Sequence, residues 1–383
     1  MKVNMKSVII VMSLLLGLAN GAGFRQIVEI NQAAKSWVSL DGHPLYYTSS
    51  NGQYSIDNQV ISRMAISNPD AQISLSPNGE YRLVSSLQSL DEVKAGQRYS
   101  DYYVLDKHND LLYSVTRGTA SDLKPFVSAI SDNGVLSLAD PVQAYIYFYA
   151  EGDLVAEGQL YEQDGDLSME RNILMQWVGR RCFILLERPG FNGGPAGNSI
   201  LMSIDAQGRN QKTSYLPFTY LQDFVFAHNR YFVSGYNYSA KDSQMQPSIV
   251  ELSPRGETLW SNENFGHELQ LSKNGLYLAA LTSHESILLF DLKATRVQQI
   301  HFDHDNKVCL GMSINNEGEI ALIRVPVDFF AKRNTHFAQV YFPLSKTNTD
   351  VQIDPRNPKL FQVQTDGSRF YIGTNYEWLE ISK

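Results

Sequence analysis

The chain has 383 residues, with 32 Lys and Arg against 40 Asp and Glu, and a formal charge of −8. A net acidic chain without a long basic run excludes general affinity for nucleic acid or for anionic lipid surfaces. Two cysteines in a chain of this size exclude a disulfide scaffold.

The first residues read as a leader. Lys2 and Lys6 form a basic start, Ser7 to Leu18 is apolar, and Ala19-Asn20-Gly21 supplies small residues before a cut after Gly21. That is the pattern of a secretory signal peptide. The apolar run is shorter than the ~20 residues a spanning helix needs. No later run suggests a transmembrane span, and no Cys follows the cut to carry a lipid. The expectation is an exported protein, periplasmic or extracellular, with residues 1–21 removed and 22–383 folded as one domain.

From Trp37 onward, short alternating strands are separated by turn residues, and helix patterns are missing. The clearest unit is Ile73 to Val84, a strand, a tight turn at Asn78-Gly79 and a second strand. A Gly after Asn or Asp supplies the positive φ that a short hairpin needs. The pair recurs as Asp41-Gly42, Asn133-Gly134, Asn274-Gly275 and Asp366-Gly367, with Glu317-Gly318 a near relative. Gly179 and His228-Asn229-Arg230 are degraded forms.

Aligned on the strand before each turn, units begin near Trp37, Ile73, Val127, Leu174, Asp223, Leu269, Leu310 and Phe361. Their spacing of about 46 residues suits four-stranded propeller blades. Outer hairpins follow at Tyr102 to Tyr113, Ser199 to Lys212, Ser248 to Trp260 and Ser286 to Gln299. The first unit ends at Gln59 to Met64. The last unit holds only three strands, Phe361 to Gln364, Arg369 to Gly373 and Tyr376 to Ile381. Phe24 to Ile30 has no partner near its own position and is expected to supply the missing outer strand. The prediction is an all-β propeller of eight four-stranded blades, with seven as the alternative, its ring closed by an N-terminal strand. Cys182 and Cys309 fall three blades apart, so no bond between them is expected, and each reads as a small hydrophobe.

This pattern resembles the bacterial quinoprotein-like and WD-repeat-like propellers over roughly residues 24–383. Leu252-Ser253-Pro254-Arg255-Gly256-Glu257-Thr258-Leu259-Trp260 is similar to the outer-hairpin motif of quinoprotein repeats. The resemblance implies that Trp260 wedges between neighbouring blades. It implies no cofactor, since only one unit carries the motif well. The Gly-His and Trp-Asp signatures of WD repeats are absent, and Arg255 stands where a sialidase Asp-box has Asp. No catalytic residue is therefore carried over.

Blade topology places long connections between second and third strands. Four such insertions are expected: Ser86 to Ser100, Arg188 to Asn198, Tyr236 to Pro247 and Val325 to Thr335. Lengthened loops on one face of a repeat scaffold commonly form its binding surface. The candidate partner-binding residues in them are Arg98, Tyr99, Phe191, Asn192, Tyr236, Tyr238, Phe329, Phe330, Lys332 and Arg333. Aromatics with Arg suit a protein interface, and aromatics with amides suit sugar rings.

Gly190 to Gly197 lacks the ending of a phosphate loop and reads as an outer loop. No metal site is expected. The weak candidates are His301, Asp303 and Asp305, which share a face if their strand stays extended. Asp164, Asp166, Ser168 and Glu170 lack calcium-loop spacing. No nucleophile elbow or zinc-protease helix motif occurs. The leading expectation is a binding scaffold that engages a protein or glycan at the cell envelope through the long-loop face, a monomer without cofactor. The alternatives are a hydrolase or lyase acting on polysaccharide in the channel and, more weakly, a quinone-dependent oxidoreductase.

Overall fold

The computed structural model describes residues 23–30, 34–40, 43–50, 53–56, 59–60, 71–87, 99–118, 126–160, 172–187, 199–216, 218–227, 230–239, 244–253, 257–263, 266, 268–329, 337–352, 363–374 and 376–382. Among these, every regular element is a β-strand.

The chain opens with β1 (Gly23–Glu29). The first sheet then follows as β2 (Ala34–Leu40), β3 (His43–Ser50), β4 (Gln53–Ile56) and β5 (Gln59–Val60). The second is β6 (Gln72–Leu75), β7 (Tyr81–Leu87), β8 (Tyr99–Asp106) and β9 (Leu111–Gly118). The third is β10 (Val127–Ile130), β11 (Leu136–Asp140), β12 (Tyr145–Ala150) and β13 (Asp153–Gln159). The fourth is β14 (Ile173–Val178), β15 (Arg181–Leu186), β16 (Ile200–Asp205) and β17 (Lys212–Tyr215). The fifth is β18 (Tyr220–Ala227), β19 (Arg230–Ser239), β20 (Gln244–Leu252) and β21 (Thr258–Asn262). The sixth is β22 (Glu268–Leu271), β23 (Tyr277–Ser283), β24 (Ser286–Asp291) and β25 (Arg296–His301). The seventh is β26 (Lys307–Ile314), β27 (Ile320–Pro326), β28 (Phe337–Phe342) and β29 (Thr347–Gln352). The eighth joins β30 (Val363–Thr365), β31 (Phe370–Gly373) and β32 (Glu377–Ser382) to β1, in the order β1-β32-β31-β30.

Eight four-stranded antiparallel sheets make this an eight-bladed β-propeller, the fold class expected from sequence. The N-terminal strand pairs with β32 from Gly23↔Ser382 to Glu29↔Glu377, and so completes the last blade as expected. By contact density the chain divides into two compact units. One holds the described residues of 1–31, 272–279 and 284–383; the other holds those of 32–271 and 280–283.

Strand sequence follows burial. Middle strands are covered on both faces, so β12, β15 and β27 read as near-continuous apolar runs. Outer strands such as β13 and β25 are mostly exposed and polar. Within the 32–271 unit the cores lie between successive sheets. Tyr47, Ile73, Val84 and Leu105 join the first and second sheets, and Phe148, Trp177, Cys182 and Ile184 join the third and fourth. Trp177 Nε1 donates to Ser137 Oγ at 3.0 Å in the latter core. Both cysteines are free thiols. Cys182 is buried as read from sequence, while Cys309 is only half-buried.

The Asn-Gly turns hold themselves and then each other. Ser76 Oγ donates to Asn78 Oδ1 at 2.8 Å, Glu80 N donates to the same oxygen, and Gly79 N donates to Ser76 O at 2.9 Å. The identical set forms at Ser272, Asn274, Gly275 and Leu276. Asn78 N then reaches Asp132 Oδ1 in the next blade's turn at 2.7 Å. Asn274 N reaches Asn316 Oδ1 at 2.8 Å, and Asn316 N reaches Gly367 O at 2.6 Å. Gly79, Gly134, Gly275, Gly318 and Gly367 all have positive φ, as the turn pattern requires.

Outer strands carry a recurrent bulge. Register slips between Val104 and Leu105, between Phe148 and Tyr149, and between Glu251 and Leu252 leave Leu112, Val155 and Leu259 unpaired and exposed. A bulge re-aims the next side chain. Tyr113 accordingly packs against the third sheet, donating from its hydroxyl to Gly134 O at 2.6 Å and accepting from Leu136 N at 3.2 Å. Trp260, for which the motif resemblance implied a wedging role, follows the same bulge in its own blade and is half-buried.

Two substitutions test this frame. Gly235 in β19 is buried, and a Cβ there would stand 2.3 Å from Tyr220 O and 2.9 Å from the Phe218 ring. Gly235→Ala should lower stability by about 2 kcal/mol or more, read as a shifted urea midpoint. The second concerns the turn of the eighth blade. Burial pushes the Asp366 carboxyl up, but N–H bonds from Arg369 and Ser368 and the Tyr371 hydroxyl outweigh it and set its pKa at about 2. Because the folded value is depressed, this contribution is complete above the ordinary carboxylate range, about pH 4, and is lost as pH falls through about 2. Asp366→Asn should flatten the acid limb of the stability curve in that window, measured by thermal melts across pH.

Candidate functional site

Each blade has two ends. At the turn end the first strand meets the second and the third meets the fourth, through short hairpins. At the connector end the second strand passes to the third, and the fourth to the next blade. The exposed Tyr and Phe side chains among the described residues are Tyr99, Tyr215, Tyr220, Phe337 and Tyr376. All five sit at connector ends. Tyr99, Tyr220 and Phe337 are the first residues of β8, β18 and β28, Tyr215 is the last of β17, and Tyr376 lies between β31 and β32.

The sequence-derived candidates divide three ways. Tyr99 is exposed, as the first residue of β8 rather than as part of the connecting loop. Arg98, Phe191, Asn192, Phe330, Lys332 and Arg333 lie outside the described residues. Phe329 is corrected: it is fully buried, with 0% exposure, in the turn after Pro326, where its N–H donates to Pro326 O. The turn sends its ring inward rather than to the surface.

Tyr236 and Tyr238 need a second correction. They belong to a strand and not to a loop, because β19 runs to Ser239 and β20 starts at Gln244. Tyr236 pairs with Tyr220 on one side and Pro247 on the other, and Tyr238 pairs with Met245. The pairs from Tyr236↔Pro247 to Ser239↔Gln244 carry the hairpin beyond Tyr220, where β18 begins. Tyr236 is half-buried, and burial raises its pKa. Asn237 and Gln246, a cross-strand pair, are both exposed.

A cation–aromatic contact lies close to Tyr99 in the register. Arg117 lies beside the Tyr99↔Gly118 pair, and its guanidinium sits 3.7 Å over the Tyr147 ring. Tyr145 packs on Tyr147 with centroids 5.0 Å apart. Burial raises the Tyr147 hydroxyl, and Arg117 partly offsets that.

The carboxylates at these ends are engaged by main-chain amides. Asp140 accepts from Val142 N and Gln143 N. Glu187 accepts from Leu221 N at 2.6 Å, and Asp223 from Leu269 N at 2.6 Å. Burial raises the Asp223 pKa while these N–H bonds lower it. Glu187 and Asp223 thereby reach the first strand of the following blade, whereas Asp140 bonds within its own.

His301, Asp303 and Asp305 do not line up as ligands. Strand β25 ends at His301, and Lys307 N donates to His304 O across a turn in which Asp305 and Asn306 have positive φ. The two-residue alternation therefore stops before Asp303. Asp303 gives its carbonyl, and Asp305 its carboxylate at 3.6 Å, to Arg324. Among the described residues no three His, Cys, Asp or Glu side chains converge as a metal cluster would. Asp164, Asp166, Ser168 and Glu170 lie outside the described residues. No helix among the described residues is long and apolar enough to cross a membrane.

No protein-family model matches the chain, and no curated protein matches it. Solved structures do. BamB from Moraxella catarrhalis superposes with a TM-score of 0.56 at 9% identity, over 94% of this chain and 100% of that one. The C-terminal WD40 domain of Sif2 gives 0.51 at 10% identity, over 94% and 98%. Apo AztD from Citrobacter koseri gives 0.50 at 11% identity, over 86% and 87%. At these identities the likeness is one of fold, and the fold shared with them is the β-propeller.

Proposed function

We propose that this chain is an exported binding scaffold that engages a protein or glycan at the cell envelope through the connector ends of its blades. The observation that carries the reading is the placement of all five exposed Tyr and Phe side chains among the described residues at those ends. Large rigid rings give contact area at low entropic cost, and Tyr with Arg is the typical composition of interface anchors. The propeller fold supports the reading as a rigid platform for such groups. The leader-like Lys2 to Gly21 segment supports export, and the mature chain would act as a single propeller domain.

The test pairs a glycan array with capture from envelope extract, using the intact protein, Tyr215→Ser with Tyr220→Ser, and Leu276→Ser at a turn end as control. Capture should fall at least about tenfold for the tyrosine pair, as loss of two anchors implies, and should persist for the control. Equal capture by all three proteins would remove the connector ends from the function.

A further inference from the structure

The N-terminal strand is held to the eighth blade along one edge, by β32 alone. At the far end of that seam Glu29 and Glu377 are directly opposed across the strands. Like charges placed opposite one another on an antiparallel pair work against the pairing.

Strand alternation sets which described charges of this blade share their face. Glu29 faces Glu377, and Gln26 faces Leu379, so both side chains stand on the face of β32 shared by positions 377 and 379. Arg25 faces Glu380, which belongs to the opposite face and also lies 3.3 Å from Arg369 Nη1. Among the described residues of the blade, Arg25 and Arg369 thus both lie on the Glu380 face of the sheet. Glu377 meets Glu29 and the Gln26 amide, which donates to its Oε1 at 2.9 Å. From its own strand and the preceding turn it meets Tyr376 and Thr374, neither of them basic. The remaining charged group among the blade's described residues, Asp366, is bonded within its own turn by Ser368, Arg369 and Tyr371.

We propose that the opposed glutamates make the β1–β32 seam a pH-sensitive latch, closed more firmly in mild acid and loosened once Glu377 must ionise opposite Glu29. Half-burial of Glu377 raises its pKa, and the charge of Glu29 raises it further. A raised folded value means that the closed seam holds the proton more tightly than the open one. Its contribution is complete below the ordinary glutamate range and is lost as pH rises through the folded value. This window lies above the one set by Asp366, so the two are separable.

Hydrogen–deuterium exchange on the whole protein tests it, with rates corrected for the intrinsic effect of pH. Amides of 24–30 should lose several-fold protection as pH rises from the ordinary glutamate value of about 4 to neutral, while those of β27 and β28 stay constant. Glu377→Gln keeps an acceptor for Gln26 and should flatten the profile, and so should Glu29→Gln. A wild-type profile without slope, or a full slope retained by either variant, overturns the latch.

Discussion

Deleting residues 24–30 is expected to lower stability by at least about 4 kcal/mol, the upper part of the range for losing one large buried aliphatic together with its surroundings. Ile30 is buried, and its N–H donates to Tyr376 O at 2.8 Å. Strand β32, paired on both sides in the intact protein, would become an edge with a row of open amides. Trp378, Leu379 and Ile381 on that strand are all buried, and Val28 lies directly opposite Trp378. Chemical denaturation should show a lower midpoint, and unpaired edges should make the truncated chain prone to association. A midpoint equal to that of the intact protein would mean that the eighth blade stands without its N-terminal strand.

Arg324→Ala should be comparably severe, about 3–5 kcal/mol, the range for stripping one member from a buried polar network. Arg324 is only 2% exposed, although it sits in the apolar run of β27. Its Nη2 donates to Asp303 O at 2.6 Å and His304 O at 2.9 Å, which pins the turn between β25 and β26. The guanidinium lies 4.8 Å over Tyr341 and 5.5 Å over Phe302. Truncation leaves a cavity between two rings and removes a donor from two carbonyls. Arg324→Met restores most of the volume and none of the donors, so it should recover about half of the loss. Asp305→Asn should change stability by less than about 1 kcal/mol, because its carboxylate is 58% exposed and 3.6 Å away. Equal effects of Arg324→Ala and Asp305→Asn on the urea midpoint would show that the carbonyl bonds are not what matters.

Much of this fold was legible in the residues themselves. The Asn-Gly and Asp-Gly pairs marked the first hairpin of most blades because positive φ restricts what a tight turn can hold. The eight strand starts near Trp37, Ile73, Val127, Leu174, Asp223, Leu269, Leu310 and Phe361 all fall within or next to an observed first strand. The unpartnered Phe24 to Ile30 pointed to the incomplete last blade because a lone strand needs an edge. The site was less legible. Phe329 looked like a surface ring because a Pro-containing connection hides the direction of its turn. Tyr236 looked like a loop residue because no turn signal marks where a long hairpin ends. Tyr215, Tyr220, Phe337 and Tyr376 were missed because strand-end aromatics resemble core aromatics until the neighbouring strands are placed. The dependence of Arg324 on main-chain carbonyls has no sequence signature.

The turn network also bears on how the protein ages. An Asn followed by Gly is the dipeptide most prone to deamidation, which begins when the Gly amide nitrogen attacks the Asn side chain. Here Gly79 N and Gly275 N are both committed to a serine carbonyl, at 2.9 and 2.8 Å. The Asn78 and Asn274 side chains are held by Ser76 and Ser272 and by the neighbouring turns. Folding therefore removes both reactants from the geometry of ring closure, and a population that is slow to fold would accumulate the chemical damage that the finished molecule resists.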